Sequence, residues 1–175
     1  MVFLDESGFL LIPHLRRTWA PKGVTPVHAH SYERGKISTM GALSVSPKRK
    51  HVALYLRLHR KNLTGLEVKD FLSYLLTHLR GTIVLLWDRS SIHRRALVKE
   101  YLAKHPRIHV EEFPGYAPEL NPAEYIWNHA DRDLSNTAAE ELEQLEGFLL
   151  ESASRLSTSQ PLLWACIYAS DLPWR

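Results

Sequence analysis

The 175-residue chain has a single cysteine, Cys166, so no disulfide can form within it; that usage suits a reducing cytosol. No apolar run approaches the roughly 20 residues needed to cross a bilayer. Met1 to Leu4 lead straight into Asp5, with no basic region ahead and too little length for a signal sequence. Internal repeats and low-complexity tracts are missing too. Acidic residues are scarce over positions 1–110, where 7 Asp and Glu face 19 Lys and Arg, whereas residues 111–175 hold 12 against 3. The net charge of +3 hides that split. A basic first part suits a polyanion such as nucleic acid, or else it only decorates a solvated face.

What is present is an ordinary globular composition, 45% hydrophobic and 23% charged, long enough for one domain (1–175) with a substantial core. Residues 1–5 read as a strand, with Gly8 marking a turn after it and Phe9 to Ile12 continuing extended. Lys36 to Val45 and His51 to Leu58 alternate as two strands around a basic hairpin tip, Lys48-Arg49-Lys50. Val68, Phe71, Leu72, Leu75, Leu76 and Leu79 recur at helical spacing. Thr82 to Trp87 then form a buried, β-branched strand that closes on Asp88. A helix through Ala96 to Leu102 and a strand from Ile108 to Phe113 follow. A helix opens at Asn121 as N-cap with Pro122 in first position, and a final helix starts near Thr137. Strand, crossover helix and strand imply an α/β sheet with parallel members.

Asp5 and Asp88 both close strand candidates, and Glu124 falls in the first turn of a helix. In an open α/β sheet the crevice beyond the carboxyl ends of the strands is the usual ligand site. Three carboxylates gathered there repel one another unless a cation neutralises them, and hard divalent ions such as magnesium suit an all-oxygen set. Two ions about 3.5–4 Å apart support in-line phosphoryl displacement. Each acid also has a plain reading. Asp5 and Asp88 serve as turn residues, and Glu124 completes a capping box, since Asn121-x-x-Glu124 has the right spacing. His93 either orients a water or phosphate or merely starts its helix. His28 and His30 share a strand face, but nothing supplies further metal ligands.

The blocks Phe3-Leu4-Asp5-Glu6-Ser7-Gly8-Phe9, Arg17-Thr18-Trp19-Ala20-Pro21-Lys22-Gly23 and Leu85-Leu86-Trp87-Asp88 with His93 form a recognisable series. It ends in Pro114-Gly115-Tyr116-Ala117-Pro118-Glu119-Leu120-Asn121-Pro122-Ala123-Glu124-Tyr125-Ile126-Trp127, the most specific block. Together they resemble the catalytic domain of mariner-like DDE transposases, in particular the bacterial insertion-sequence branch. The 35 residues between Asp88 and Glu124 suit that family as well. The resemblance implies an RNase H-like α/β fold: five strands, the first three antiparallel and the later ones parallel to the first, with helices on both faces. It implies that Asp5, Asp88 and Glu124 bind the catalytic ions, two Mg²⁺ or Mn²⁺, with His93 and Asn121 as accessory candidates beside them. The implied activity is cleavage of transposon ends with water, then joining of a 3′-hydroxyl to target DNA, by a homodimer or larger assembly in the nucleoid-associated cytoplasm.

The family's helix-turn-helix region ahead of the first aspartate is expected to be absent, making the chain a split-frame product, an excised domain or a remnant. An upstream-encoded helix-turn-helix subunit is then a partner, and no membrane is involved. The family often has Asn after the second aspartate, where this chain has Arg89. Candidate DNA contacts are Arg16, Arg17, Lys48, Arg49 and Lys50 on phosphates, and Trp19 on a base unless it lids the core. The competing readings are a DNA- or partner-binding fragment that does not cut, and another RNase H-like nuclease. The latter leaves the Asn-Pro-x-Glu-x-x-Trp block unexplained.

Overall fold

A computed structural model describes residues 1–12, 19–25, 35–135, 137 and 139–174. Arg16, Arg17, His28 and His30 lie outside them. Five strands form one sheet: β1 (Val2–Leu10), β2 (Lys36–Val45), β3 (Val52–His59), β4 (Ile83–Trp87) and β5 (Ile108–Glu112). Their order is β3-β2-β1-β4-β5. β1 runs antiparallel to β2, and β2 to β3, whereas β4 is parallel to both β1 and β5. The expected mixed sheet is therefore present.

Alternation along β1 and β2 sorts the core into two layers. Phe3, Phe9, Ile37, Leu43 and Val45 face α3 (Glu124–Leu134), α4 (Leu142–Ser157) and α5 (Gln160–Ala169). Val2, Leu4, Met40 and Ala42 face α1 (Gly65–His78) and α2 (Ala96–Ala103). The two-residue period thus puts Asp5 on the α3 side and Glu6 on the α1 side of the same strand. Thr64 caps α1 in a full capping box with Glu67, which Lys61 also pairs at 2.6 Å.

Three sequence expectations shift. Gly8 is no turn: it pairs with Ser38 inside a continuous β1, and the Lys36 side chain crosses the space where a Cβ would be. The helix expected to start near Thr137 starts at Leu142, because the backbone at Glu141 is still extended. A further helix, α5, follows, opened by Ser159, whose Oγ accepts from the Leu162 N–H, and by Pro161 in its first turn. It buries Leu163, Cys166 and Ile167 against β3 and α4.

Candidate active site

Pairing of Phe3 with Leu86 in the parallel β1–β4 ladder, continued by two residues, puts Asp5 beside Asp88 at the carboxyl end of β4. Glu124 joins them from the start of α3. All three line a cleft of about 540 Å³ whose other walls are Arg89, Ser90, Arg94, Asn121 and the loop from Phe113 to Pro118. The structure thus places the three acids singled out from sequence on one cleft.

The loop before α3 decides what Glu124 is free to do. Asn121 does cap, its Oδ1 accepting from the Ala123 N–H at 3.1 Å, but the next residues wind as a tight turn and the regular helix begins only at Glu124. The return arm of the expected capping box is absent: the Asn121 N–H donates to the Pro118 carbonyl at 2.9 Å. The Glu124 carboxylate, not spent on a cap, lines the cleft. Asn121 Nδ2 also reaches the Leu4 carbonyl at 3.4 Å, which ties this loop to the strand carrying Asp5.

Charge repulsion is visible in the acids. Burial first, then the Glu124 carboxylate, push Asp5 up to about 8, against the pull of the Trp127 indole N–H that donates to its Oδ2 at 2.8 Å. Burial and then the Asp88 charge also raise Glu124. Asp88 moves the other way: a hydrogen bond from His93 outweighs burial, the Ser90 N–H adds a second at 2.9 Å, and its carboxyl lies below the usual range. No Lys or Arg pairs with Asp5 or Glu124 among the described residues.

His93 is a structural ion bridge. It is almost fully buried, stacked on Trp87 at 4.1 Å and 7°. Nδ1 lies 3.1 Å from the Asp88 carbonyl and 3.3 Å from its Oδ1; since a carbonyl only accepts, Nδ1 carries the proton. Nε2 faces Glu6 Oε1 at 2.9 Å. Burial alone would lower this imidazole, but Asp88 and Glu6 together raise it to about 10. The atoms of Glu6, Asp88 and His93 lie within 4.8 Å of one another, close enough to ligate an ion, yet an imidazolium donating from both nitrogens has no lone pair left to give.

Sequence reasoning missed Glu6 and Gly41, and took Trp127 only as the last member of the most specific block. Gly41 pairs with Asp5 across β1 and β2, and a Cβ there would sit 2.6 Å from Trp127 Cη2 and 3.1 Å from Cζ2. A bare backbone opposite Asp5 therefore lets the indole slide over β2 and aim its N–H at the carboxylate. Gly41→Ala is expected to cost about 2 kcal/mol by overpacking, roughly 5 °C in Tm, and to reduce catalysis by moving Trp127. Thermal melts with a nicking assay check both; an unchanged Tm would show the ring is free to shift.

The other expected contacts scatter. The Lys48-Arg49-Lys50 tip lies beside Met1, at the end of β1 away from the acids, and Arg49 donates to the Trp174 carbonyl at 3.3 Å. Trp19 is fully exposed, so it is no lid over the core. Arg89 turns to Glu112 on β5, at 3.5 Å, rather than to Asp88.

The family model for the DDE superfamily endonuclease matches residues 1–146. The chain belongs to that family. No curated protein matches it significantly. Among solved structures, the Mos1 transposase paired-end complex with left transposon end superposes with a TM-score of 0.72 at 16% identity, over 95% of this chain and 51% of that one. The Mos1 strand transfer complex gives 0.72 at 18%, over 95% and 50%. The catalytic domain of Mos1 mariner transposase gives 0.65 at 15%, over 95% and 74%. At such identities the likeness fixes the fold, which is RNase H-like. This DDE-family chain spans about half the length of the first two.

Proposed function

We propose that this chain is the catalytic domain of a DNA transposase, cleaving DNA strands and joining them. The observation that carries the reading is the meeting of Asp5, Asp88 and Glu124, from three separate elements, on one open cleft. The donor set fits divalent cations: all three are hard oxygen groups, and two have pKa values raised by burial and then by a neighbouring carboxylate. Asp5, Asp88 and Glu124 would hold Mg²⁺ or Mn²⁺, two ions in all; Mos1 paired-end complexes have been solved with each metal. Bound ions supply Lewis acidity toward the reacting phosphate.

The chain's own residues do the positioning. Trp127 fixes Asp5, His93 and the Ser90 N–H fix Asp88, and the diverted Asn121 N–H leaves Glu124 to the cleft. Arg89 and Arg94 line the same cleft and suit phosphate oxygens on either side of the scissile bond. Tyr116, fully exposed with φ of 56°, offers a flat face at the rim for a base. In cleavage, a water oxygen bonds to phosphorus, the P–O3′ bond breaks, and the freed 3′-oxygen takes up a proton. In joining, that 3′-hydroxyl oxygen bonds to a target phosphorus and gives its proton to solvent, while the target P–O3′ bond breaks and the departing 3′-oxygen takes up a proton. Transposon-end and target DNA are the partners, with a second copy and a helix-turn-helix subunit completing a nucleoid-associated assembly.

The test is nicking of supercoiled plasmid by the purified chain with Mg²⁺ or Mn²⁺. Asp88→Ala, still folded by circular dichroism, is expected to lose roughly 10²–10³-fold or more in rate. Plasmid that is bound but never nicked by the wild-type chain would instead favour a DNA-binding fragment.

A further inference from the structure

Joining one strand to another brings two nucleic-acid backbones to a single phosphate, and two grooves would give each its own path. The sheet offers a second. On its α1 face a cleft of about 460 Å³ opens against the same Asp5, Asp88 and Ser90 that wall the first, but its far side is Glu6, Lys36, Ser38 and Asn62. The two clefts lie on opposite faces of the sheet, because Asp5 and Glu6 alternate, and they meet at the acids.

Two features of Lys36 mark the second cleft as a built one. Lys36 is laid flat across β1: a Cβ on Gly8 would come within 2.5 Å of its Cε and 3.2 Å of its Nζ, so only glycine leaves that path open. The ammonium ends 3.5 Å from Asn62 Oδ1 and makes no ion pair among the described residues. A cation and an amide on the wall of one groove form a donor set for phosphodiester oxygens.

We propose that this cleft seats the backbone of the second DNA strand, the one to which the cleaved end is joined, with Lys36 as its phosphate anchor and Asn62 as a supporting donor. Gly8 is then a clearance for Lys36. The inference rests on the DNA-joining reading above and assigns its two strands to two faces of the sheet.

The test compares binding of the full chain, by fluorescence anisotropy with Ca²⁺ present, to a three-way branched DNA that mimics a joined product and to a linear duplex of the same length. Wild type is expected to bind the branched DNA more tightly. Lys36→Gln should weaken that binding about tenfold, leave the duplex unchanged, and lower the slope of log affinity against log salt on the branched DNA by about 0.9. Lys36→Arg should restore most of it. Equal weakening on both DNAs, no weakening on either, or a wild-type chain blind to the branch would each overturn the subsite. If magnesium-dependent nicking, absent in Asp88→Ala, accompanies any of those results, the subsite alone fails. Absence of both nicking and DNA binding would defeat the joining reading itself.

Discussion

Asp5→Asn is expected to make the metal-free protein more stable at pH 8 while abolishing its chemistry. Asp5 is 7% exposed and its carboxyl is raised to about 8, by burial and then by Glu124. The folded state therefore binds more protons than the unfolded one between about pH 4 and pH 8, and stability from this site declines as pH climbs through that window. Below it both states are protonated and nothing is lost; above it the full cost stands. Asparagine keeps the shape and an oxygen for the Trp127 N–H but carries no charge. A gain of about 3 kcal/mol, roughly 5–10 °C in Tm, is expected at pH 8, shrinking toward zero near pH 4. Mg²⁺ should raise the wild-type Tm, more at pH 8 than at pH 5 because less proton has to leave, and leave the variant's unmoved. Melts across pH, with and without metal, decide it. A variant less stable than wild type at pH 8 would mean the carboxylate is not a burden, and the case for a cation there would weaken.

Much of this site was legible before any coordinates. The apolar run ending at Asp88, the helical stripe of α1 and the proline-punctuated loop before Glu124 are local patterns, and each predicts its own element. What stayed hidden depends on register. That Gly41 lies opposite Asp5, leaving room for Trp127, follows from how β1 and β2 pair, which no local pattern states. Gly8 misled for the same reason: glycine commonly marks a turn, and here it marks a crossing by Lys36. The helix before Glu124 starts late because the Asn121 N–H finds Pro118, a choice between two partners that spacing leaves open. The charge split was real, but the hairpin cations sit at the other end of the strand from the acids, since sequence counts charge without placing it.

His93 carries the largest expected structural penalty. It is 3% exposed and holds Asp88 through Nδ1 and Glu6 through Nε2 while stacking on Trp87. Removing it by His93→Ala strands two carboxylates around a cavity, at a cost of about 3–5 kcal/mol, or roughly 10 °C in Tm. The pH signature differs from that of Asp5. The imidazole is raised to about 10 from an ordinary value near 6.5, so its contribution is complete below about pH 6.5 and drains away as pH rises through 10. The stability gap between wild type and His93→Ala should accordingly narrow from pH 7 to pH 10. Two milder variants separate scaffolding from positioning. His93→Asn places an amide donor where Nδ1 meets Asp88, whereas His93→Gln reaches instead toward Glu6. If the imidazole serves catalysis by aiming Asp88, the Asn variant retains more nicking rate than the Gln variant at matched stability. Equal rates in the two would leave His93 as scaffolding for the fold and nothing more.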